Sequence, residues 1–391
     1  MSKPIYLDNQ STTPMDPDVF KAMLPFFQEK FGNASSIHHA YGIESSEAVE
    51  KARKILAESI NAKKREITFT SGATEAINLA IKGVAGKYKN NRHLITQVTE
   101  HSAVLDTHKS MVKNGWDVTI LPVNSNGTVE PQSVLDAIND KTVLVSVMHA
   151  NNEIGTIQPV SQIGEICKKN NVLFFVDACQ TYGKLEIDIN KMNIDLLATT
   201  AHKLYGPKGV GFLYVRQKNP KVNIEMQIDG GGHEKGLRSG TLPVPLIVGF
   251  GRAAEISLKK RESEYNILKN LRDSLFRGIK NQQPDVIVNG NIKSGLSHNL
   301  NLCFPGLDSE SLIMKMKGIA CSAGSACSSA NLEPSHVIKA LGRNNELALS
   351  AVRFSVGRFN TIEEIDSAVM EINSAVNRIK SSKQKRRRTN F

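Results

Sequence analysis

The chain has 391 residues, 40% hydrophobic and 22% charged, with 28 glycines and 14 prolines; this is ordinary globular composition and excludes collagen-like, coiled-coil and disordered classes. The net charge is +11, but Lys380, Lys383, Lys385, Arg386, Arg387 and Arg388 carry six of those charges in an acid-free C-terminal run, so the body is not expected to bind nucleic acid directly. No apolar run reaches the ~18–20 residues of a membrane span, and no membrane partner is expected.

A short apolar strand, Ile5-Tyr6-Leu7, comes first. The residues before it have neither the apolar stretch of a secretory signal nor an Arg-rich amphipathic segment. That fits a cytoplasmic protein, or a processed one of the mitochondrial matrix or a related organelle. Ser45-Ser46 reads as the cap of a helix with Val49, Ala52, Leu56 and Ile60 on one face. Short β-rich runs follow at Ile67–Thr70, His93–Val98, Val118–Leu121, Val143–Met148, Val172–Val176, Leu196–Thr199 and Val210–Val215. Helical stretches at Thr74–Gly86, Ser102–Asn114 and Ser161–Asn170 separate many of them. Several runs are almost continuously apolar, as in strands buried on both faces. This pattern predicts a doubly wound α/β domain over 15–255, with its ligand site at the carboxyl ends of the strands.

Beyond about 255 the texture changes. A long charged helix (Ala253–Ile279) leads to short strands such as Ser297–Phe304, a Gly/Ser-rich loop around 318–330, and helices near 335–341 and 361–380. A smaller α+β domain is predicted from 256–379 joined by 1–14. A basic, flexible tail is predicted at 380–391, solvated rather than a nuclear address or a polyanion contact.

The five cysteines, at 167, 179, 303, 321 and 327, are odd in number and scattered. They do not form a disulfide framework, and the C-x5-C spacing of the last two is not a common zinc pattern. Chemistry gathers instead just past strand ends. Ser71-Gly72-Ala73-Thr74-Glu75 is a small-residue turn opening a helix, the arrangement that binds anions through free N–H groups. Glu100-His101, His149–Glu153, Asp177–Gln180 and Thr200–Lys203 each follow a strand. There is no P-loop and no G-x-G-x-x-G. A carboxylate ending one buried strand and a lysine ending another, 26 residues later, suit pyridoxal phosphate, whose enzymes need an attachment lysine and an acid against the ring nitrogen. An ion pair at the sheet rim explains those two residues equally well. The phosphate-type turn and the Thr200/His202 pair favour the cofactor.

Taken jointly, several motifs resemble the cysteine desulfurases of the class-V aminotransferase group, in the branch that supplies sulfur for iron–sulfur clusters. They are Ser71–Glu75, Thr99-Glu100-His101, Asn151–Gly155, Asp177–Gln180, His202–Gly209, Arg238–Thr241, Gly324-Ser325-Ala326-Cys327 and Arg353-Phe354-Ser355. The resemblance runs from about Ile5 to Ile379. It implies a fold-type I pyridoxal-phosphate transferase with a mainly parallel seven-stranded sheet, working as a homodimer on L-cysteine. It implies further that Lys203 holds the cofactor covalently, Asp177 pairs with the ring nitrogen, and Gln180 and Asn152 reach the ring oxygen or the substrate. His101 lies over the ring. Ala73, Thr74, Thr200 and His202 hold the phosphate, with Thr241 reaching it from the other subunit. Arg353 takes the substrate carboxylate. Cys327 is the nucleophile that accepts sulfur, and by the same resemblance a transient iron–sulfur ligand shared with a scaffold protein. The Gly/Ser-rich surroundings of Cys327 predict a mobile loop.

The implied reaction converts L-cysteine to L-alanine and leaves a persulfide for acceptors in iron–sulfur cluster assembly and other sulfur pathways such as tRNA thiolation. Selenocysteine lyase, another class-V aminotransferase and a non-catalytic sulfur carrier are the alternatives. A loop thiol speaks against a transaminase, and a full lysine–aspartate–histidine set speaks against a carrier. Three departures from the family pattern stand out. Ala201 replaces a usual glycine, Cys321 is an extra thiol, and the segment after Ile379 lacks the Pro-Leu-Trp-rich ending that contributes to scaffold docking.

Overall fold

The computed structural model describes residues 3–323 and 333–389. The chain enters through β1 (Ile5–Tyr6) and two short helices, α1 (Pro17–Met23) and α2 (Pro25–Gln28), before the longer α3 (Ala40–Glu58). α3 begins earlier than the Ser45-Ser46 pair suggests. His39 caps it, its Nδ1 accepting from the Gly42 N–H at 3.2 Å, and Ser45 lies inside the helix with its hydroxyl bonded to Lys30 O.

A strand–helix alternation follows: β2 (Ile67–Thr70), α4 (Ala73–Lys87), β3 (His93–Gln97), α5 (Ser102–Lys113), β4 (Asp117–Leu121), α6 (Pro131–Ala137), β5 (Thr142–Ser146), α7 (Val160–Lys169), β6 (Leu173–Asp177), β7 (Leu196–Thr200) and β8 (Gly211–Val215). The seven strands form one sheet in the order β2-β8-β7-β6-β5-β3-β4. The run β7-β6-β5-β3-β4 is parallel, and β8 pairs antiparallel with both β7 and β2. Strands alternate their side chains between two apolar layers, as the two-residue period dictates. Ile95, Val145, Phe174, Phe212 and Tyr214 face the layer shared with α3, α7 and the start of the next long helix. Leu94, Leu144, Phe175 and Leu213 face the layer under α4 and α5. Full burial of each such side chain stabilises the fold by roughly 1.5–3 kcal/mol. Six of the seven strands are buried throughout, and only the edge strand β4 leaves residues exposed, so the sheet seats on helices on both faces.

That long helix, α8 (Val244–Gln282), has 39 residues and touches both cores. Its Ile247, Phe250 and Ala254 belong to the sheet layer, while Leu268, Leu271, Leu275 and Ile279 belong to a second core. Around that core lie β9 (Ile287–Val288), β10 (Asn299–Cys303), α9 (Ser309–Lys315), β11 (Ile319–Ala320), β12 (Ser322–Ala323), β13 (Ala351–Ser355) and α12 (Ile362–Thr389), while α10 (His336–Ala340) and α11 (Asn345–Leu349) close a small separate cluster with Ile154, Cys303 and Ala351. Four of the strands form a sheet in the order β12-β13-β10-β9, and β11 pairs in parallel with β1. Leu7 packs in this second core. A buried cluster pins the two cores together. Arg358 bonds Asp16 at 2.7 Å and Glu264 on α8, and its guanidinium stacks 4.0 Å from the Tyr205 ring centroid.

The predicted end of the last helix near 380 is overrun. α12 continues to Thr389, so the helix runs through most of the segment 380–391. Lys380 is held to Asp285 at 3.2 Å and to Gln283 at 2.9 Å, and the Lys, Gln and Arg residues that follow are good helix formers. Among the described residues no helix is long and apolar enough to cross a membrane.

Candidate active site

A crevice of about 880 Å³ opens where the carboxyl ends of β2, β3, β5, β6 and β7 meet β13. Ala73, Thr74, His101, Asn152, Asp177, Gln180, Thr200, His202, Lys203 and Arg353 all line it. Residues spread over 280 positions of sequence thus reach one cavity, as a sheet with helices on both faces arranges. Thr241 does not line the crevice of its own chain and is exposed. Cys327, expected as sulfur acceptor and cluster ligand, and the Gly324-Ser325-Ala326 before it lie outside the described residues.

The turn between β2 and α4 is shaped around Gly72. Its backbone lies at φ 155°, ψ −177°, a conformation close to glycine-only. A Cβ built there meets nothing within 4 Å, so the residue faces open crevice. No side chain caps α4, which leaves its N-terminal N–H groups to the cavity. Thr70 Oγ1 braces the turn by donating to Gly72 O at 2.9 Å. Glu75 closes it from outside, accepting from the Ser71 N–H at 2.8 Å and from Arg238 Nε at 2.8 Å. Burial opposes ionisation of Glu75, but the Arg238 and Ser71 bonds hold its carboxyl below the usual range.

Lys203 stands in the short 3-10 turn that ends β7, its Nζ donating to Gln10 O at 2.5 Å and Ser11 O at 2.6 Å. Asp177 ends β6, and its Oδ1 accepts from the Cys179 N–H at 2.9 Å. Burial, followed by the Asp177 charge, raises the Cys179 thiol well above its ordinary value, which disfavours the thiolate that nucleophilic attack needs. Burial, then the charges of Lys203, Lys208 and Lys184, depresses His202 to about 4. Its ring is neutral at pH 7, with Nδ1 3.1 Å from Thr12 Oγ1. Gln180 bonds Gln10 O through Nε2 at 3.1 Å and leaves its buried Oε1 without a partner.

His101 caps α5, its Nδ1 accepting from the Ala103 N–H at 3.1 Å. The proton of the neutral ring therefore sits on Nε2. Two buried acids flank it. Burial, reinforced by the Asp177 charge, raises Glu100 to about 8; its Oε1 accepts from Met148 N and Gln97, and Oε2 has no partner. Burial also raises Glu153 to about 7, against a 2.6 Å bond from Ser335 and the charge of Arg353. Arg353 lies on β13 with its guanidinium aimed at the crevice edge. Cys321, the extra thiol, is pushed up to about 12, mainly by burial, which fits a packing role beside the second core.

Pyridoxal phosphate, which the sequence resemblance implies, is matched by these groups. The uncapped helix start and the open space at Gly72 suit a phosphate, and neutral His202 can donate to it. The orphaned Gln180 oxygen is a buried polar atom in want of a ligand. Lys203 and Asp177 supply an amine and a carboxylate from neighbouring strands. Sequence reasoning missed Gln10, Ser11 and Thr12, which also line the crevice. The polar run Asn9–Thr13 straight after a short apolar strand was the available signal.

Comparison with known proteins agrees. The sequence model of the family described as aminotransferase class-V matches residues 5–368. The cysteine desulfurase IscS of Rickettsia bellii is 49% identical over 378 residues, covering 96% of this chain and 92% of that protein. IscS of Klebsiella pneumoniae is 49% identical, covering 97% and 94%. Among solved structures, a NifS-like protein superposes with a TM-score of 0.89 at 38% identity over 96% of this chain and 99% of the other. A structure described as SspA in complex with cysteine gives 0.80 at 35% identity, over 91% and 100%. The chain belongs to the class-V aminotransferase family and, within it, to the IscS-type cysteine desulfurases, which depend on pyridoxal phosphate.

Proposed function

We propose that this desulfurase binds L-cysteine through Arg353, passes the substrate sulfur to Cys327 and releases L-alanine. The observation that carries the reading is the convergence of Lys203, Asp177, His101 and Arg353 on one crevice. When bound, pyridoxal phosphate supplies a covalent anchor for the substrate amine and an electron sink for its α-carbon. Ala73, Thr74, Thr200 and His202 would hold the phosphate, and Asp177 would keep the ring nitrogen protonated. Lys203 Nζ, held by the carbonyls of Gln10 and Ser11, is the base that moves the α-proton once it is free as an amine. The Cys327 thiolate attacks the substrate sulfur. An S–S bond forms, the Cβ–S bond breaks, and Cβ keeps the electron pair and takes up a proton. His101 Nε2 is the acid–base partner for these protons. Sulfur then leaves Cys327 for an acceptor, for which an iron–sulfur scaffold protein is the leading candidate.

The reading includes a homodimer, a large unit over 15–255, and a small unit built from 1–14 and 256–379. Phe20, Phe27, Phe31, Ile37 and Tyr41 leave 53%, 55%, 66%, 69% and 54% of their surface exposed. So many large apolar groups within one stretch of chain support a subunit contact, and exposed Thr241 would then serve the other subunit's phosphate. We place the protein in the cytoplasm, as its bacterial relatives suggest. The test is brief exposure of the purified protein to L-cysteine, with alanine release and persulfide mapping by mass. Sulfur on Cys327, and stalled alanine release in Cys327→Ser, are expected. Sulfur on Cys321, or normal alanine release from Cys327→Ser, would overturn the mechanism, the latter in favour of a lyase.

A further inference from the structure

Arg353, the residue read above as the carboxylate clamp, already has acceptors around it. Its side chain is only 2% exposed. Nη1 donates to Asn152 O at 2.8 Å, and Nη2 donates both to Asp8 Oδ1 at 2.8 Å and to Ser11 Oγ at 2.6 Å. Nε is buried and has no acceptor. A guanidinium can offer a carboxylate two parallel N–H bonds along two edges only, Nε with Nη2 or Nη1 with Nη2. Both edges include Nη2, and both of its hydrogens are committed. Two-pronged capture of a carboxylate therefore requires Nη2 to release one acceptor. Ser11 lines the crevice and Asp8 does not. Asp8 is also fixed by its backbone, which bridges Ser355 and accepts from the Tyr6 hydroxyl at 3.1 Å. The serine is the acceptor that yields, and the aspartate stays.

We propose that Asp8 and Ser11 set how tightly Arg353 grips an amino-acid carboxylate: Asp8 aims and partly neutralises the guanidinium, and Ser11 occupies the prong that the ligand must take. This rests on the reading of Arg353 as the carboxylate site. Cysteine and alanine carry the same α-carboxylate, so affinity gained for the substrate is equally affinity for the product. A buried arginine with no counter-charge would hold both. Asp8 is a positioning residue, since it touches neither the ligand nor the reacting atoms.

The probe is 3-mercaptopropionate, which is cysteine without its amine, titrated calorimetrically onto the holoenzyme. The KM for cysteine and the inhibition constant of alanine are measured beside it. Asp8→Asn keeps an acceptor for Nη2 and loses the charge. A charged acceptor outweighs a neutral one by roughly five- to tenfold. The probe's Kd, the alanine constant and KM should therefore fall together by about that factor, without a rise in kcat. Ser11→Ala removes the competing acceptor, leaves the charge, and should tighten the probe by about two- to threefold; it carries the test should circular dichroism show Asp8→Asn misfolded. Cysteamine, which lacks the carboxylate, should bind all variants alike. Probe binding unchanged or weakened in both variants, while Arg353→Lys weakens it, would overturn the proposal and leave the clamp standing. Probe binding that Arg353→Lys does not weaken would overturn the clamp itself.

Discussion

Arg53 on α3 and Glu234 form the most enclosed ion pair in the sheet half of the molecule, and its removal should be costly. The side chains are 5% and 2% exposed. They meet through two bonds of 2.7 Å, with Arg53 stacked 4.6 Å from the Phe69 ring centroid. Glu234 also accepts the Phe69 N–H of β2 at 2.7 Å. Glu234→Ala leaves a buried guanidinium with only half-exposed Glu50 as counter-charge, at 2.8 Å, and strands the Phe69 N–H. Breaking a buried pair costs about 3–5 kcal/mol, and an unmet buried donor costs about 1–3. Since Glu50 offsets part of the first, the expected loss is about 4 kcal/mol. Arg53→Met combined with Glu234→Ala removes both charges and should lose clearly less than the sum of the two single changes. Urea unfolding followed by circular dichroism, with pyridoxal phosphate held in excess for every variant, reads all four corners of the cycle. A loss under about 1 kcal/mol for Glu234→Ala, or strict additivity in the double variant, would refute the reasoning.

Glu153→Gln tests the buried acid. The folded chain keeps its proton up to about pH 7, whereas the unfolded chain loses it near 4.5. Wild-type stability therefore falls on this account as pH rises from 4.5 to 7, then levels. The Gln variant, with no such proton to lose, should gain relative to wild type between pH 5.5 and 7, on the order of 2 kcal/mol; paired urea midpoints that run parallel across that range would contradict it. Gly211→Ala should loosen the cofactor, because a Cβ there would lie 2.5 Å from Thr199 O and 2.8 Å from Gly72 C, both backbone atoms beside the phosphate turn. Pyridoxal phosphate retained after dialysis at the wild-type level would argue against that. Ending the chain at Ile379 removes the Lys380–Asp285 pair, whose side chains are 37% and 48% exposed, worth about 0–1 kcal/mol. Alanine production should persist, and loss of cofactor binding on truncation would show that the extension of α12 is structural.

The sheet was legible because buried strands need apolar side chains on both faces, and Leu196–Thr200 or Gly211–Val215 could hardly be anything else. Short helices were not: α9 has seven residues and α11 five, too few for a 3.6-residue period to declare itself. The true start of α8 was hidden by Pro245, Gly249 and Gly251, which read as breakers. Proline is at home in a first helical turn. The two glycines are there for close packing, since a Cβ would sit 2.5 Å from Met23 Sδ at one and 2.9 Å from Ala52 Cβ at the other. At the site, strand-end groups such as Asp177 and Lys203 stood out by position. Gln10 and Ser11 did not, because they hold Lys203 through backbone carbonyls, and any residue type could do so. Burial of Glu100 and Glu153 was equally invisible, since it depends on what packs over them.

α8 also makes the spacing of the two cores a matter of gearing. At 1.5 Å per residue its 39 residues form a shaft of about 58 Å, with one gear cut into each end: Phe250 and Ala254 mesh with the sheet layer, Leu271 and Leu275 with the other. Between them run exposed Lys259, Lys260, Glu262 and Ser263, where surface polarity suggests that any change is tolerated. Substitutions there should be. A single inserted residue should not, because it advances the far gear by 1.5 Å and turns it by about 100°. Arg353, carried by the second core, would swing away from Lys203, carried by the first. In most proteins the safest place to lengthen a chain is a solvent-facing stretch far from the chemistry; here the same stretch is the axle on which the two halves of the crevice are timed.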